Sequence, residues 1–518
     1  MSTQQIPRQP LLRPGARSTL IAGAGALAAL ALALAIAIAV PDPSVSLIFA
    51  VAFAPLAVVA LVLNSRLELG VLVLAVYLGL LDGPVKLGTG AHEEATVFRD
   101  VLIAAVSVGA LLRLLVKKRS FSLPPLSGWV ILFVALVLAE TFNPNTHGLV
   151  KALGGYRQQL EFVPFFFFGY AVMRTKARLR KMFIVLGVIA LANGIVSTYQ
   201  TKIGLGQLAA WGPGYRELVF GEGGVTARAY VHEGVAHIRP PGLGKDAGFG
   251  GSVGLITVPC LLALLATTGK RKRLTALLLC LGAMLAVITG LGRLQVVGAV
   301  LAVIAFAVLS ASAGRRVTRP LLAVLGVIAL AIPLGAVLVS IESPGTFSRY
   351  SEIAPENITS AKDKKGSELS HLPHQLSVEP FGVGLSTAGA AAGFGGKQAE
   401  ELEGHQVGSD TQYNFLGDEV GLPGILLWTG LLLTMVGLAV QRLRFIADVE
   451  LRIDLAAIFA IPISFFIIGA SGPVSSSSAG GPFYWLAAGI ASYWFLGPGR
   501  REAARRVVPE LGAVPVPA

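Results

Sequence analysis

The chain has 518 residues, of which 54% are hydrophobic and 14% charged, with a mean hydropathy of +0.71. Soluble domains carry about 25% charged residues, so this composition excludes an ordinary water-facing globule. A net charge of +13 would suggest nucleic acid in a soluble protein. Here the basic residues lie in short loops between apolar runs, where they set membrane orientation, and no nucleic-acid partner is expected.

At the N-terminus, Arg8, Arg13 and Arg17 precede an apolar stretch from Ser18 to Val40. It exceeds the roughly 7–15 residues of a signal peptide's apolar core, so it reads as an uncleaved first span behind a cytoplasmic segment, 1–17. Further apolar runs follow at 45–63, 67–84, 99–116, 126–141, 160–173, 182–200, 250–268, 274–290, 292–311, 319–341, 421–441, 453–471 and 481–497. Each is close to the length that crosses about 30 Å of hydrocarbon as a helix. The runs are too long and too uniformly apolar for barrel strands. The expected fold is therefore all-α, a polytopic transmembrane helix bundle of about 14 spans, with 12–14 as the range. It divides into a bundle over 18–341, a large external segment over 342–420, C-terminal spans over 421–497 and a cytoplasmic, disordered tail over 498–518.

Charge tests that count. With the N-terminus inside, Arg66, the cluster Arg113 to Arg119, Arg174 to Lys181, Lys270 to Arg273, Arg315 to Arg319, Arg442 to Arg452 and Arg500 to Arg506 all fall on the cytoplasmic side. That is the distribution the positive-inside rule demands of a plasma-membrane protein with both termini in the cytoplasm. Cys260 and Cys280 lie within spans and read as small apolar packers.

The loops on the other side are 85–98, 142–159, 201–249, the turn near 290–293, 342–420 and 472–480, and they hold all seven histidines. Histidine plays no part in setting topology, and loops carry function disproportionately, so an external site is expected. Two arginines stand out there. Arg239 lies in His-Ile-Arg-Pro-Pro-Gly-Leu-Gly, ahead of a span, and Arg293 closes Thr-Gly-Leu-Gly-Arg between two spans. A guanidinium at this depth is snorkelling, paired to a carboxylate, or placed for an anionic ligand. Its planar, permanently charged fork suits a diphosphate. Arg157, in Gly-Gly-Tyr-Arg-Gln-Gln-Leu-Glu, and Arg349, in Thr-Phe-Ser-Arg-Tyr, are further candidates, with a surface pair between Arg157 and Glu161 as the plainer alternative.

A second constellation runs from His405 through Asp410 to Glu419-Val-Gly-Leu-Pro-Gly424. Its pattern predicts a short interfacial helix and then a turn into the membrane. Asp410 and Glu419 would pair with an external arginine or act as general bases on a sugar hydroxyl. The carboxylates and histidines show no metal-ligand spacing, and neither a metal nor a cofactor is expected.

At these residues the chain resembles the O-antigen ligase and polymerase superfamily of envelope glycan assembly. The matching stretches are Arg239-Pro-Pro-Gly242, Thr289-Gly-Leu-Gly-Arg293, and Glu379-Pro-Phe-Gly-Val-Gly384 followed by Glu419-Val-Gly-Leu-Pro-Gly424. The resemblance covers roughly residues 235–440. It departs in one place: nine residues before Glu419, where ligases of the family often carry histidine, stands Asp410. As base the reading favours Asp410, with His405 second. The departure favours a capsule or exopolysaccharide polymerase at least as much as ligation to a lipid A core. The resemblance implies metal-independent, inverting transfer from an undecaprenyl-diphosphate-linked glycan to a glycan or glycolipid acceptor, in company with membrane lipid and other assembly proteins. The rival readings are a transporter or flippase of lipid-linked glycan and a non-catalytic assembly subunit. A transporter would place charge at mid-membrane on broken helices, and the predicted spans are nearly free of it.

Overall fold

The computed structural model describes residues 58–59, 67–90, 93–116, 123–146, 148–221, 228–232, 234–312, 326–328, 345, 364–389, 391, 411–475 and 477–500. The predicted spans 18–40, 45–63 and 319–341 lie outside them, apart from isolated residues. The chain forms two compact units, one of Met1–Ala75 with His92–Phe121 and one of Val76–Ala91 with Ser122–Ala518.

The described elements are almost all helical. In order they are α1 (Leu67–Val76), a π segment (Tyr77–Leu81), α2 (Asp82–Gly88), α3 (Glu93–Val116), α4 (Ser127–Ala139), α5 (Gly148–Leu160), α6 (Pro164–Val172), α7 (Lys176–Lys202), α8 (Leu205–Ala209) and α9 (Pro213–Phe220). A hairpin of β1 (Ala229–His232) and β2 (Val235–Ile238) follows, then α10 (Phe249–Thr267), α11 (Lys270–Thr289), α12 (Arg293–Ser312), α13 (Lys364–Val378), α14 (Gln412–Arg442), α15 (Val449–Ile468) and α16 (Gly480–Ala491), which runs into a second π segment (Ser492–Leu496). The hairpin is antiparallel, with Ala229 opposite Ile238 and His232 opposite Val235. It is a small departure from the all-α expectation.

Seven stretches among the described residues are long and apolar enough to cross a membrane: Leu67–Gly88, Lys176–Lys202, Phe249–Thr267, Lys270–Thr289, Arg293–Ala311, Gln412–Phe445 and Val449–Ile468. Each overlaps a predicted span. The predicted spans at 99–116, 126–141, 160–173 and 481–497 are helical too, but the helix holding the first carries too much charge and the other three are too short as continuous helices. The count of 14 is thus not reached among the described residues.

In the larger unit α10 is the central helix, packed against α7, α11, α12 and α15. It is apolar on every side and 89% buried in its apolar window, as a helix surrounded by other helices must be. Small residues bring α6 and α16 together: a Cβ on Gly169 would strike the Leu486 carbonyl, and one on Gly489 the Phe166 carbonyl. Close backbone approach of this kind is how helices associate where lipid supplies no hydrophobic drive.

One end of the unit is charged. Lys176, at the start of α7, bonds Asp448 at 2.8 Å and Glu450 at 2.9 Å, and Arg180 Nε bonds the fully buried Asp454 at 2.8 Å. Asp448 also caps α15 by accepting from the Glu450 and Leu451 amides. From Lys176 to Gln200, α7 rises about 36 Å, enough to carry the chain across a bilayer. Its far end meets the loop that follows the hairpin. There Leu87, Leu208, Tyr215, Leu218, Val219 and Ile238 form a small apolar cluster of their own.

Candidate functional site

The far end of α7 is built to hold backbone. Gln200, fully buried, accepts from Gly242 N at 2.8 Å and donates to Gly242 O at 3.0 Å. Asn193 accepts from Leu243 N at 2.9 Å and donates to Gly79 O, also at 2.9 Å. Amide side chains suit this task because each offers a donor and an acceptor to a peptide group that water cannot reach. Gly242 has φ +64, and a Cβ there would lie 2.8 Å from Asn193 Oδ1, so the Arg-Pro-Pro-Gly stretch needs glycine at its end.

This loop meets the turn between α11 and α12. Gly248 N donates to Pro240 O at 2.9 Å, and a Cβ on Gly248 would lie 3.3 Å from Gln295 Nε2 and 3.4 Å from Gly290 O. Arg239 and Arg293, both half-buried, therefore stand on two segments that touch at one end of the bundle. Leu291, inside that turn, has φ +51 and is 1% exposed, a left-handed backbone that costs a β-carbon-bearing residue about 1–3 kcal/mol.

The third sequence element folds onto the kink in α14. The helix starts at its cap Thr411 and breaks at Gly421, where φ is +63 and ψ −162, giving the short helix and turn expected from the sequence. The loop 379–384 threads through the break: Leu422 N donates to Pro380 O at 2.8 Å and Val383 N to Asp418 O at 2.6 Å. A Cβ on Gly421 would strike Phe381 and Pro380. Asn143 Nδ2 donates to Gly382 O at 3.2 Å, and Leu385 N to Thr146 Oγ1 at 2.9 Å. Ser386, at φ +57, donates to Lys151 O at 2.6 Å. Leu291 and Ser386 are the non-glycine residues with positive φ among the described residues, and both lie in or beside the sequence elements singled out above.

Glu419 sits beneath this loop, fully buried. Gln159 Nε2 donates to its Oε2 at 2.6 Å, while Oε1 has no hydrogen-bond partner among the described residues. The neighbouring Asp418 accepts a short hydrogen bond from Gln375 on α13. Arg157 stands half-buried on α5, the helix that carries Gln159. The start of α14 is tied to the loop 469–475, since Gln412 accepts from Val474 N and Ser475 N at 2.7 Å each. A Cβ on Gly472 in that loop would lie 2.7 Å from Leu294 Cδ2, next to Arg293. The three sequence elements thus occupy one end of the unit, away from the Lys176 network. Asp410, His405 and Arg349 lie outside the described residues.

Sequence reasoning did not single out Gln159, Asn193 or Gln200. Each is an amide in or beside an apolar run, and that mismatch was the available signal. Among the described residues no three His, Cys, Asp or Glu side chains group as metal ligands do. Outside the spans, burial pushes the Tyr215 hydroxyl up to about 12 and pulls the Lys151 ammonium below its ordinary value.

The architecture defines the class: a helical protein with several membrane-length apolar helices and an ordered polar rim at one end of them. Comparison with protein-family models finds no match, and comparison with curated proteins finds none.

Proposed function

We propose that the chain is an envelope polysaccharide polymerase or ligase. It transfers a glycan from an undecaprenyl-diphosphate donor to a sugar hydroxyl at the outer face of the plasma membrane, with both termini in the cytoplasm. The observation that carries this reading is the meeting of the Arg239 loop and the Arg293 turn at Gly248 and Gly290, opposite the basic end of α7. Two guanidinium-bearing segments at one rim are what a lipid-linked diphosphate would need.

In this reading the acceptor hydroxyl attacks the anomeric carbon from the face opposite the diphosphate. A new C–O bond forms, the anomeric C–O bond to phosphate breaks, and the lipid diphosphate leaves with the bonding electrons. The hydroxyl proton passes to a carboxylate or imidazole, for which Asp410, His405 and Glu419 are the candidates. Arg239 and Arg293, with Arg157 and Arg349 as further candidates, neutralise the charge growing on the diphosphate; positioned charge of this kind is worth about 3–4 kcal/mol in a water-poor site. Cells lacking the protein are the test. Accumulation of lipid-linked glycan on the outer leaflet supports transfer, with its length separating polymerase from ligase. Accumulation on the inner leaflet would point to translocation instead.

A further inference from the structure

Large apolar side chains stand open at the rim. Phe142, just past the end of α4, is 88% exposed, Phe381 66% and Val378 59%. Hydrogen bonds make them neighbours. Asn143 Nδ2 donates to Gly382 O at 3.2 Å, which sets the Phe142 turn against the 379–384 loop. Leu422 N donates to Pro380 O at 2.8 Å, which sets the loop against α14. Apolar groups gathered at one exposed place mark a surface that meets something other than water.

The patch runs on into a face that meets lipid. Leu422, Leu426, Leu433 and Val440 are exposed on α14, at a spacing that places them along one stripe of a helix. They belong to a stretch long and apolar enough to cross a membrane, where an apolar stripe turned outward faces hydrocarbon. Leu422, at the kinked end of that stripe, is the residue bonded to the loop.

The loop's backbone suits the same surroundings. Pro380 and Phe381 are exposed, yet the Pro380 carbonyl is taken by Leu422 N, the Gly382 amide by Glu379 O at 3.0 Å and the Val383 amide by Asp418 O. Val383 and Leu385 are buried, so the loop turns them inward and Phe381 outward. Non-helical backbone is tolerated at hydrocarbon depth only where protein supplies its hydrogen bonds; a loop in water can leave them to solvent. The insertion is shallow, because His374 and Glu379 flank Val378 and hold that side of the patch at headgroup level.

We propose that the 379–384 loop, read from the sequence as part of an external segment, is seated in the bilayer, with Phe142 and Phe381 in the hydrocarbon of the leaflet at this end. The partner of this surface is lipid, and the loop that covers Glu419 meets lipid on its other side. The inference goes beyond glycan transfer and does not depend on it.

The full chain in phosphatidylethanolamine–phosphatidylglycerol vesicles, with a nitroxide spin label on one introduced cysteine, tests it. Cys260 and Cys280 are buried, and each is replaced by alanine if it takes up label. Phe142→Cys and Phe381→Cys are compared with two references: Leu433→Cys, on the α14 stripe, and Arg271→Cys, exposed in the basic run at the start of α11. Molecular oxygen concentrates in hydrocarbon and a charge-neutral nickel chelate stays in water, so the ratio of the two relaxation effects reports what surrounds the label. At both positions the oxygen-to-nickel ratio should be high, shifted from that of Arg271→Cys to that of Leu433→Cys. A ratio like that of Arg271→Cys would place the loop in water. Poor access for both reagents would place it under protein, a second copy or another part of this chain. Either result overturns the proposal, and each position decides alone if the other variant does not fold.

Discussion

Gln159 and Glu419, 260 positions apart in the chain, are joined by a hydrogen bond of 2.6 Å. The bond ties α5 to the short helix before the α14 kink, and Glu419 is fully buried. Removing the donor strands a buried carboxyl group, at a cost of about 1–3 kcal/mol. Gln159→Ala should lower thermal stability by that amount. In a double-mutant cycle Gln159→Ala with Glu419→Ala should cost less than the two single losses added, because the second truncation removes the stranded group. Strictly additive losses would show that the two residues do not share a bond.

The kink at Gly421 makes room for the loop 380–383. A β-carbon there would meet both a forbidden φ and the Pro380–Phe381 backbone. Gly421→Ala should cost about 2–5 kcal/mol and free the 379–391 loop, seen as early hydrogen exchange at Val383 and Leu422. Unchanged exchange at both amides would contradict the packing described here.

Gln200 serves both polar groups of one peptide unit in Gly242. Gln200→Leu keeps the volume and leaves both unpaired, at about 2–5 kcal/mol. Gln200→Glu must either bury an unpaired carboxylate against the Gly242 carbonyl or take up a proton, so its loss at neutral pH should be at least as large as that of Gln200→Leu. Thermal unfolding in detergent orders the three proteins.

At the opposite end, burial alone would raise the Asp448 carboxyl, but its bonds to Lys176 and to the α15 amides outweigh that and hold it below its ordinary 3.8. The folded protein therefore binds this proton less readily than the unfolded chain does. The resulting stabilisation is complete above the unfolded value and fades as pH falls through the folded one. Thermal stability followed from about pH 5 down to pH 3 should fall less steeply in Asp448→Asn than in the wild type. Equal slopes would remove Asp448 from the account.

Much of this was legible in the sequence because lipid leaves few options. Long apolar runs such as 250–268 and 453–471 became α10 and α15, and Glu419-Val-Gly-Leu-Pro-Gly424 announced a helix broken at a glycine. Other features depend on partners far along the chain. Nothing near Gln159 names Glu419, and nothing near Gln200 names Gly242. The hairpin at 229–238 is too short to show alternation, and α6, with nine residues, becomes stable only by pressing Gly169 against α16. Lys151 looks like any loop lysine until its burial is known.

The most direct measurement is chain extension by the purified protein with an undecaprenyl-diphosphate oligosaccharide. The wild type should form longer or transferred glycan, and Arg293→Ala, inserted and folded normally, should lose at least about 100-fold in rate, as removal of a positioned charge does elsewhere. Full activity in Arg293→Ala would contradict the account.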